Sequence, residues 1–331
     1  MGRVSLVIPH HREASAGFEV LEAVLGQTVV PAEVVLIRSG TWDEPEHFWS
    51  DWKERFGLLE SRLKVVRASA PLMPGGARNL GIEESVYGLI AFLDLETIPP
   101  KNWLERQLEL LDETKTKLVL GRTEYAANSL KSAVIRDAIY GRQSIQTIPG
   151  SVVSREVFGH VGRFIPGVRA AEDTEWMIRV RVMGISMQIG SAPPIRYLGL
   201  TRLGLRGMMA KWRRNYVSSR QLQHLRVQTT LIWLVGYVVL SLVAFNWNAI
   251  IAGWEVDSPY YVDHVTKIVS ITPIIAYICV RGFFIPFRRG VPMNDLLPTR
   301  FLLLAGVGAL LDGTKFATIS VMKVATAGLR L

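Results

Sequence analysis

In Ala91-Phe92-Leu93-Asp94-Leu95-Glu96-Thr97-Ile98-Pro99, an apolar run that begins at Leu89 ends abruptly in two acids. A buried parallel strand delivers carboxylates in this way to the rim of an α/β sheet, where such sheets bind ligands. Asp94 and Glu96 are therefore the first site candidates. Side chains two apart on an extended chain point the same way, so these acids can share one hard cation, with diphosphate oxygens completing its shell. Leu95 is expected to face the core. A solvated strand end also produces an acid-x-acid triplet, so the flanking pattern has to separate the two readings.

Upstream, Val4 to Ile8 is a β-branched apolar run stopped by Pro9, the opening strand of an α/β domain. Val34 to Ile37 and Leu63 to Val66 read as further strands, Phe18 to Leu25 as a helix, and the aromatic-rich, charged Trp42 to Phe56 as another. Strands alternating with helices predict a mostly parallel sheet. His10 and His11 are adjacent and would face opposite ways, which fits a loop better than a metal site. No Gly-x-Gly-x-x-Gly follows the first strand and no Gly-x-x-x-x-Gly-Lys-Ser/Thr occurs anywhere, so dinucleotide and P-loop readings lose their main support.

Nearer the acids lies Pro74-Gly75-Gly76-Ala77-Arg78-Asn79-Leu80-Gly81. Two glycines let a backbone approach a ligand closely, and a helix starting near Ala77 would present free N–H groups to an anion, with Arg78 and Asn79 in its first turn. Downstream, Ser151 to Ser154 reads as a strand and Gly162 to Gly167 as a loop lining an acceptor cleft. Ala171-Glu172-Asp173-Thr174-Glu175-Trp176 then opens a helical pattern that continues to Val182. Acids at a helix start serve as caps and dipole partners as often as they serve chemistry.

Taken together, a strand ending Ile-Pro, a Pro-Gly-Gly-Ala-Arg-Asn-x-Gly helix start and Phe-Leu-Asp-x-Glu-x-x-Pro-Pro-x-x-Trp-Leu resemble the inverting family-2 glycosyltransferases. The resemblance runs from about Val4 to about Tyr216 and is strongest from Gly75 to Leu104. It implies a Rossmann-like, mostly parallel sheet of the glycosyltransferase A type and a nucleotide-sugar donor. By resemblance Pro9, Arg78, Asn79 and Asp94 contact the donor, while Asp94 and Glu96 hold Mg²⁺ or Mn²⁺. The family's Glu-Asp motif falls on Glu172 and Asp173, with Asp173 as base and Glu172 in support. Lys211-Trp212-Arg213-Arg214 loosely matches the Gln-x-x-Arg-Trp place, which puts Arg213 and Arg214 near the leaving diphosphate or a lipid phosphate. Two departures stand out. Glu replaces the usual Asp at 96, and Arg38-Ser39-Gly40-Thr41 replaces an Asp-Asp-Gly-Ser-like turn, leaving Asp43 as a weak substitute for the base-contacting acid.

The chain has 331 residues, a net charge of +9 and one cysteine, Cys279, which excludes disulfide frameworks and cysteine-metal sites. Between Trp176 and Trp254 there is no acid, but ten basic residues from Arg179 to Arg226 fall there. Val227 to Trp254 carries no charge and exceeds a ~30 Å hydrocarbon core at ~1.5 Å per helical residue. A basic block abutting such a run marks its cytoplasmic side, and anionic headgroups attract it. This explains the charge better than nucleic acid, since the block lacks the interleaved aromatics of a base-stacking surface. Ile268 to Phe287 is a second span, in which Arg281 can snorkel to the headgroups. Phe301 to Leu311 ends too soon at Asp312 and Lys315, which favours an interfacial amphipathic helix over a third span.

The expected organisation is a cytoplasmic transferase domain over 1–225, with a nucleotide-sugar half over about 1–120 and an acceptor half over about 121–225. A multi-pass membrane region over 226–331 would follow, with spans near 228–254 and 266–287 and a last helix near 300–327. The expected reaction is sugar transfer at the cell membrane to a lipid-linked or polyprenyl-phosphate-type acceptor. The alternatives are a nucleotidyltransferase, which would release pyrophosphate, and a membrane scaffold with a degenerate transferase domain.

Overall fold

The computed structural model describes residues 2–10, 18–40, 62–202, 204–222, 243, 246–250 and 255–328. The expected helix at Trp42 to Phe56, Asp43, and nearly all of the 228–254 span lie outside the described residues. Four strands, β1 (Val4–His10), β2 (Glu33–Arg38), β3 (Leu63–Arg67) and β4 (Leu89–Phe92), pair in parallel in the order β3-β2-β1-β4. The expectation of a mostly parallel sheet holds for this half. Beyond it the direction changes. β5 (Thr97–Ile98), β6 (Leu118–Tyr125), β7 (Ile145–Ser154), β8 (Gln188–Ile189) and β9 (Ile195–Tyr197) complete a nine-stranded mixed sheet, running β4-β7-β6-β9-β5 with β8 beside β6. The pairs β4–β7, β6–β7 and β5–β9 are antiparallel.

Period-two alternation puts β1 between two apolar layers. Leu6 and Ile8 pack with Val34, Leu36, Trp103 and Leu104 under α1 (Phe18–Leu25) and α3 (Trp103–Thr114). Val7 packs with Val35, Ile37, Phe92, Phe158 and Trp176 under α2 (Pro74–Glu84), α5 (Arg155–Val161) and α6 (Glu172–Val182). Burying each of these large side chains contributes roughly 1.5–3 kcal/mol.

β1 runs on through Pro9 to His10 instead of stopping at the proline. Val7 O accepts from Leu93 on the β4 side, and His10 O accepts from Ser39 on the β2 side. Backbone groups alternate sides, so the N–H that Pro9 lacks is on the β4 side, and the β1–β4 pairing ends at Val7 and Phe92.

The chain then leaves the sheet through α7 (Gly199–Arg202) and α8 (Leu205–Gln221). A second helical layer is built by α9 (Val265–Ile278), its π-helical continuation Cys279–Phe284 and the turn Ile285–Arg288, packed on α10 (Arg300–Gly328). Two stretches here, Ile271–Arg288 and Arg300–Thr318, are long and apolar enough to cross a membrane. The second of them is the segment expected as an interfacial helix or a third membrane helix. Asp312 does not end the apolar run at a surface: it accepts two bonds from Arg281, at 3.0 and 3.1 Å, and one from Tyr277 at 3.0 Å. Arg281 therefore turns inward across Gly308 rather than snorkelling outward; a Cβ on Gly308 would lie 2.4 Å from Arg281 Cγ.

These helices are fastened to the sheet domain through α4 (Leu130–Ile139). Asp137 in α4 is fully buried and accepts from Arg136, Arg142 and Arg300. Trp212 and Leu311 meet Ile135 and Leu200 in a shared apolar cluster.

Candidate active site

The acids of the triplet occupy a turn, not the extended strand that the sequence suggests. β4 ends at Phe92, Thr97 N–H donates to Asp94 O at 3.0 Å, and the Thr97 hydroxyl bonds both the N–H and the carbonyl of Asp94. Leu95 is buried in the core, as expected. Asp94 and Glu96 therefore owe their placement to two different anchors, not to strand periodicity.

Asp94 is anchored by Arg78. One terminal nitrogen of Arg78 donates to Asp94 Oδ1 at 3.1 Å and the other to Glu172 Oε1 at 2.6 Å. The Arg78 and Glu172 side chains are each 5% exposed and Asp94 is 35% exposed, so the pair is sealed while Asp94 stays open to solvent. Phe164 lies 5.8 Å from the guanidinium and belongs to an aromatic group with Phe92, Phe158 and Trp176. Burial alone would lower the Arg78 pKa, but the charges of Asp94, Glu172 and Asp173 outweigh it and raise it. Burial raises Glu172 above the ordinary carboxylate range, with Arg78 opposing and Asp173 adding to the shift.

The rest of the glycine motif takes part in this arrangement. The helix begins at Pro74, not near Ala77. Gly75 lets the 162–167 loop close over it: a Cβ there would lie 2.2 Å from Ile165 O. Asn79 uses both ends of its amide on the Phe164 backbone, at 2.8 and 3.0 Å. Arg78 and Asn79, expected on the donor, thus fix the acids and the loop. Pro9 sits buried within β1, just beyond the last β4 pairing.

Glu172 and Asp173 open α6, where the helix dipole favours negative charge. Ala171 ahead of them has φ 72°, a left-handed conformation that costs a non-glycine residue about 1–2 kcal/mol. Asp173 is half-buried, and its Oδ1 accepts from the Thr174 N–H at 2.7 Å.

Glu96 is anchored from the other side of the sheet. The Tyr197 hydroxyl donates to Glu96 Oε2 at 2.8 Å, and Lys211 Nζ donates to the same hydroxyl at 3.0 Å. Tyr197 packs edge-on against Tyr125, which stacks on Tyr140. Burial raises the pKa of both Tyr125 and Tyr197. The charges of Asp173 and Asp94 add to it at Tyr125, and those of Glu96 and Asp94 at Tyr197, so the three acids surround one tyrosine pair.

Tyr197 and Lys211 were not singled out from the sequence; Arg213 and Arg214 were. Met208 and Trp212, four apart, are the buried face of α8, which leaves Arg213 and Arg214 exposed and turns Lys211 to the site. That apolar pair was the available signal.

Residues 5–169 match Glycosyl transferase family 2. This stretch is a domain of that family. Among its relatives is Glycosyltransferase AglE of Haloferax volcanii, 26% identical over 256 residues, which are 71% of this chain and 81% of that protein. An uncharacterized glycosyltransferase of Rickettsia felis is 27% identical over 181 residues, 52% of this chain but 29% of that longer protein. In fold, the glycosyltransferase is similar to the mannosyltransferase PcManGT of Pyrobaculum calidifontis, solved with GDP-Man and Mn²⁺. The TM-score is 0.53, with 16% identity across 96% of this chain and 87% of that one. The chain is thus a glycosyltransferase that takes its sugar from a nucleotide sugar.

A divalent cation fits the donor set. Among the described residues no three His, Cys, Asp or Glu side chains gather to hold a metal. Two carboxylates at the cleft supply hard oxygens but not a full shell, which suits a Mg²⁺ or Mn²⁺ ion whose remaining ligands are substrate phosphates and water.

Proposed function

We propose that this glycosyltransferase is metal-dependent and inverting, and that it works at a membrane on a lipid-linked or membrane-delivered acceptor. One observation carries the reading: Arg78 draws Asp94 and the Glu172–Asp173 pair, far apart in sequence, to one open cleft. Asp94 and Glu96 would hold Mg²⁺ or Mn²⁺. When bound, the cation supplies charge stabilisation for the departing nucleoside diphosphate. Lys211, two hydrogen bonds from Glu96 through Tyr197, adds fixed positive charge near the same place.

Asp173, half-buried and facing this acidic cleft, takes the proton of an acceptor hydroxyl as its oxygen attacks the anomeric carbon from the face opposite the diphosphate. If the acceptor is a polyprenyl phosphate, its oxygen is already anionic and Asp173 orients it. Glu172 and Arg78 hold Asp173's helix start and Asp94 in register. The same geometry gives a pair of acids and a metal to a nucleotidyltransferase, but the family match favours sugar transfer.

The membrane reading draws on the two apolar helices and on their fastening to α4 and α8, which would put the acids near a bilayer. The basic block before the C-terminal helices supports a cytoplasmic catalytic domain, over 1–225, with a multi-pass region after it. GDP-Man is the donor in the similar mannosyltransferase, and at 16% identity that leaves the donor of this chain open. A thermal-shift panel of nucleotide sugars with and without Mn²⁺ tests the proposal, because a ligand of the folded state raises its stability. Stabilisation by at least one donor, larger with Mn²⁺, is expected. No stabilisation by any donor would overturn it.

A further inference from the structure

The longer arm of Glu96 has a dedicated holder. We propose that Tyr197 is a positioning residue for Glu96, fixing its carboxylate in the orientation that a cation shared with Asp94 requires. This rests on the metal reading above and extends it to a residue one hydrogen bond behind the proposed ligand Glu96.

Three observations converge. First, β5 and β9 run antiparallel with Thr97 opposite Tyr197, and Leu198 N–H donates to Glu96 O at 2.7 Å. The backbone therefore brings the phenol to the acid without further adjustment. Second, the direction of the hydrogen bonds is determined. An ammonium only donates, so the Tyr197 oxygen accepts from Lys211 at 3.0 Å and its single proton goes to Glu96 Oε2 at 2.8 Å. Third, the space is kept by a missing side chain. A Cβ on Gly199 would lie 2.4 Å from both Glu96 Oε2 and the Tyr197 oxygen, so this contact exists only because position 199 is glycine.

The physical need comes from the methylene. Glu has one more rotatable bond than Asp, and a carboxylate free to swing spends part of its time away from the cation. An outer hydrogen bond that locks a metal-binding carboxylate typically matters 10- to 100-fold in metal affinity. Tyr197→Phe removes that bond and keeps the ring packed on Tyr125, whose centroid is 5.2 Å away.

The test uses full-length protein in detergent, with free Mn²⁺ followed by electron paramagnetic resonance in the presence of GDP and, separately, UDP. Tyr197→Phe is expected to weaken Mn²⁺ binding by about 10- to 100-fold. The Mn²⁺ concentration for half-maximal transfer should rise by the same factor, while metal-free nucleotide binding stays at the wild-type value. In a Glu96→Asp background, where the extra bond is gone, Tyr197→Phe should have no further effect. That arm separates positioning from a general loss of structure, and Gly199→Ala, which crowds the same contact, should mimic Tyr197→Phe. If Tyr197→Phe binds Mn²⁺ within twofold of wild type while Glu96→Gln does not, the role of Tyr197 is overturned and the metal site stands. If Glu96→Gln and Asp94→Asn both bind like wild type, or wild type binds no Mn²⁺, the metal reading fails and the inference falls with it.

Discussion

Arg78 and Glu172, 94 positions apart, meet at 2.6 Å in a setting closed to water. The same guanidinium reaches Asp94, so one side chain sets the spacing between the proposed metal site and the proposed base. Arg78→Ala would leave Glu172 buried without its partner, a change that typically costs about 3–5 kcal/mol. Arg78→Lys keeps the charge but has one nitrogen for two acids. We expect Arg78→Lys to stay folded by circular dichroism and lose at least about 10-fold in transfer rate, because a fork cannot be replaced by a point charge. Wild-type activity in Arg78→Lys would contradict this.

Asp173→Asn separates the two acceptor chemistries. A positioned base typically contributes about 10²–10⁴-fold. If the acceptor is a hydroxyl, kcat should fall by that order. If it is a phosphate, the loss should be smaller and appear mainly in acceptor KM. The two acceptor classes assayed side by side give the answer.

Two adjacent glycines should behave differently. An added Cβ at Gly75 would lie 2.2 Å from Ile165 O, whereas at Gly76 the nearest atom is 3.5 Å away. Gly75→Ala is expected to destabilise by about 1–3 kcal/mol, as overpacking does. Gly76→Ala should unfold at the wild-type temperature. Equal midpoints for the two variants would contradict the close approach of the loop.

Arg281 and Asp312 should be worth more together than apart. Removing either one leaves a charge between apolar helices, at about 2.5–3.5 kcal/mol. Asp312→Leu alone should therefore lower the unfolding temperature in detergent, and Arg281→Met combined with Asp312→Leu should recover most of it. A double variant no better than the single would show that the pair is not coupled.

The parallel half of the fold was legible because β1, β2 and β4 are buried on both faces and so read as unbroken apolar runs. The antiparallel half was not: β5, β8 and β9 are two or three residues long and carry no period of their own. Among site residues, Asp94, Glu96, Glu172 and Asp173 were visible as acids at element ends. Their anchors were hidden. Tyr197 lies 101 positions from Glu96 and is joined to it only by strand pairing. The partner of Asp312 was hidden too, because Arg281 lies 31 positions away on another helix.

The central claim is that sugar leaves a nucleotide donor under the joint hold of Asp94, Glu96 and a divalent cation. Its most direct test is transfer of radiolabelled sugar into membrane acceptor, measured for wild type and Asp94→Asn after EDTA treatment and stepwise return of Mn²⁺. The account predicts that wild type loses turnover with EDTA and regains it with Mn²⁺, while Asp94→Asn stays inactive at every concentration. Full turnover of Asp94→Asn, or of wild type in EDTA, would contradict it.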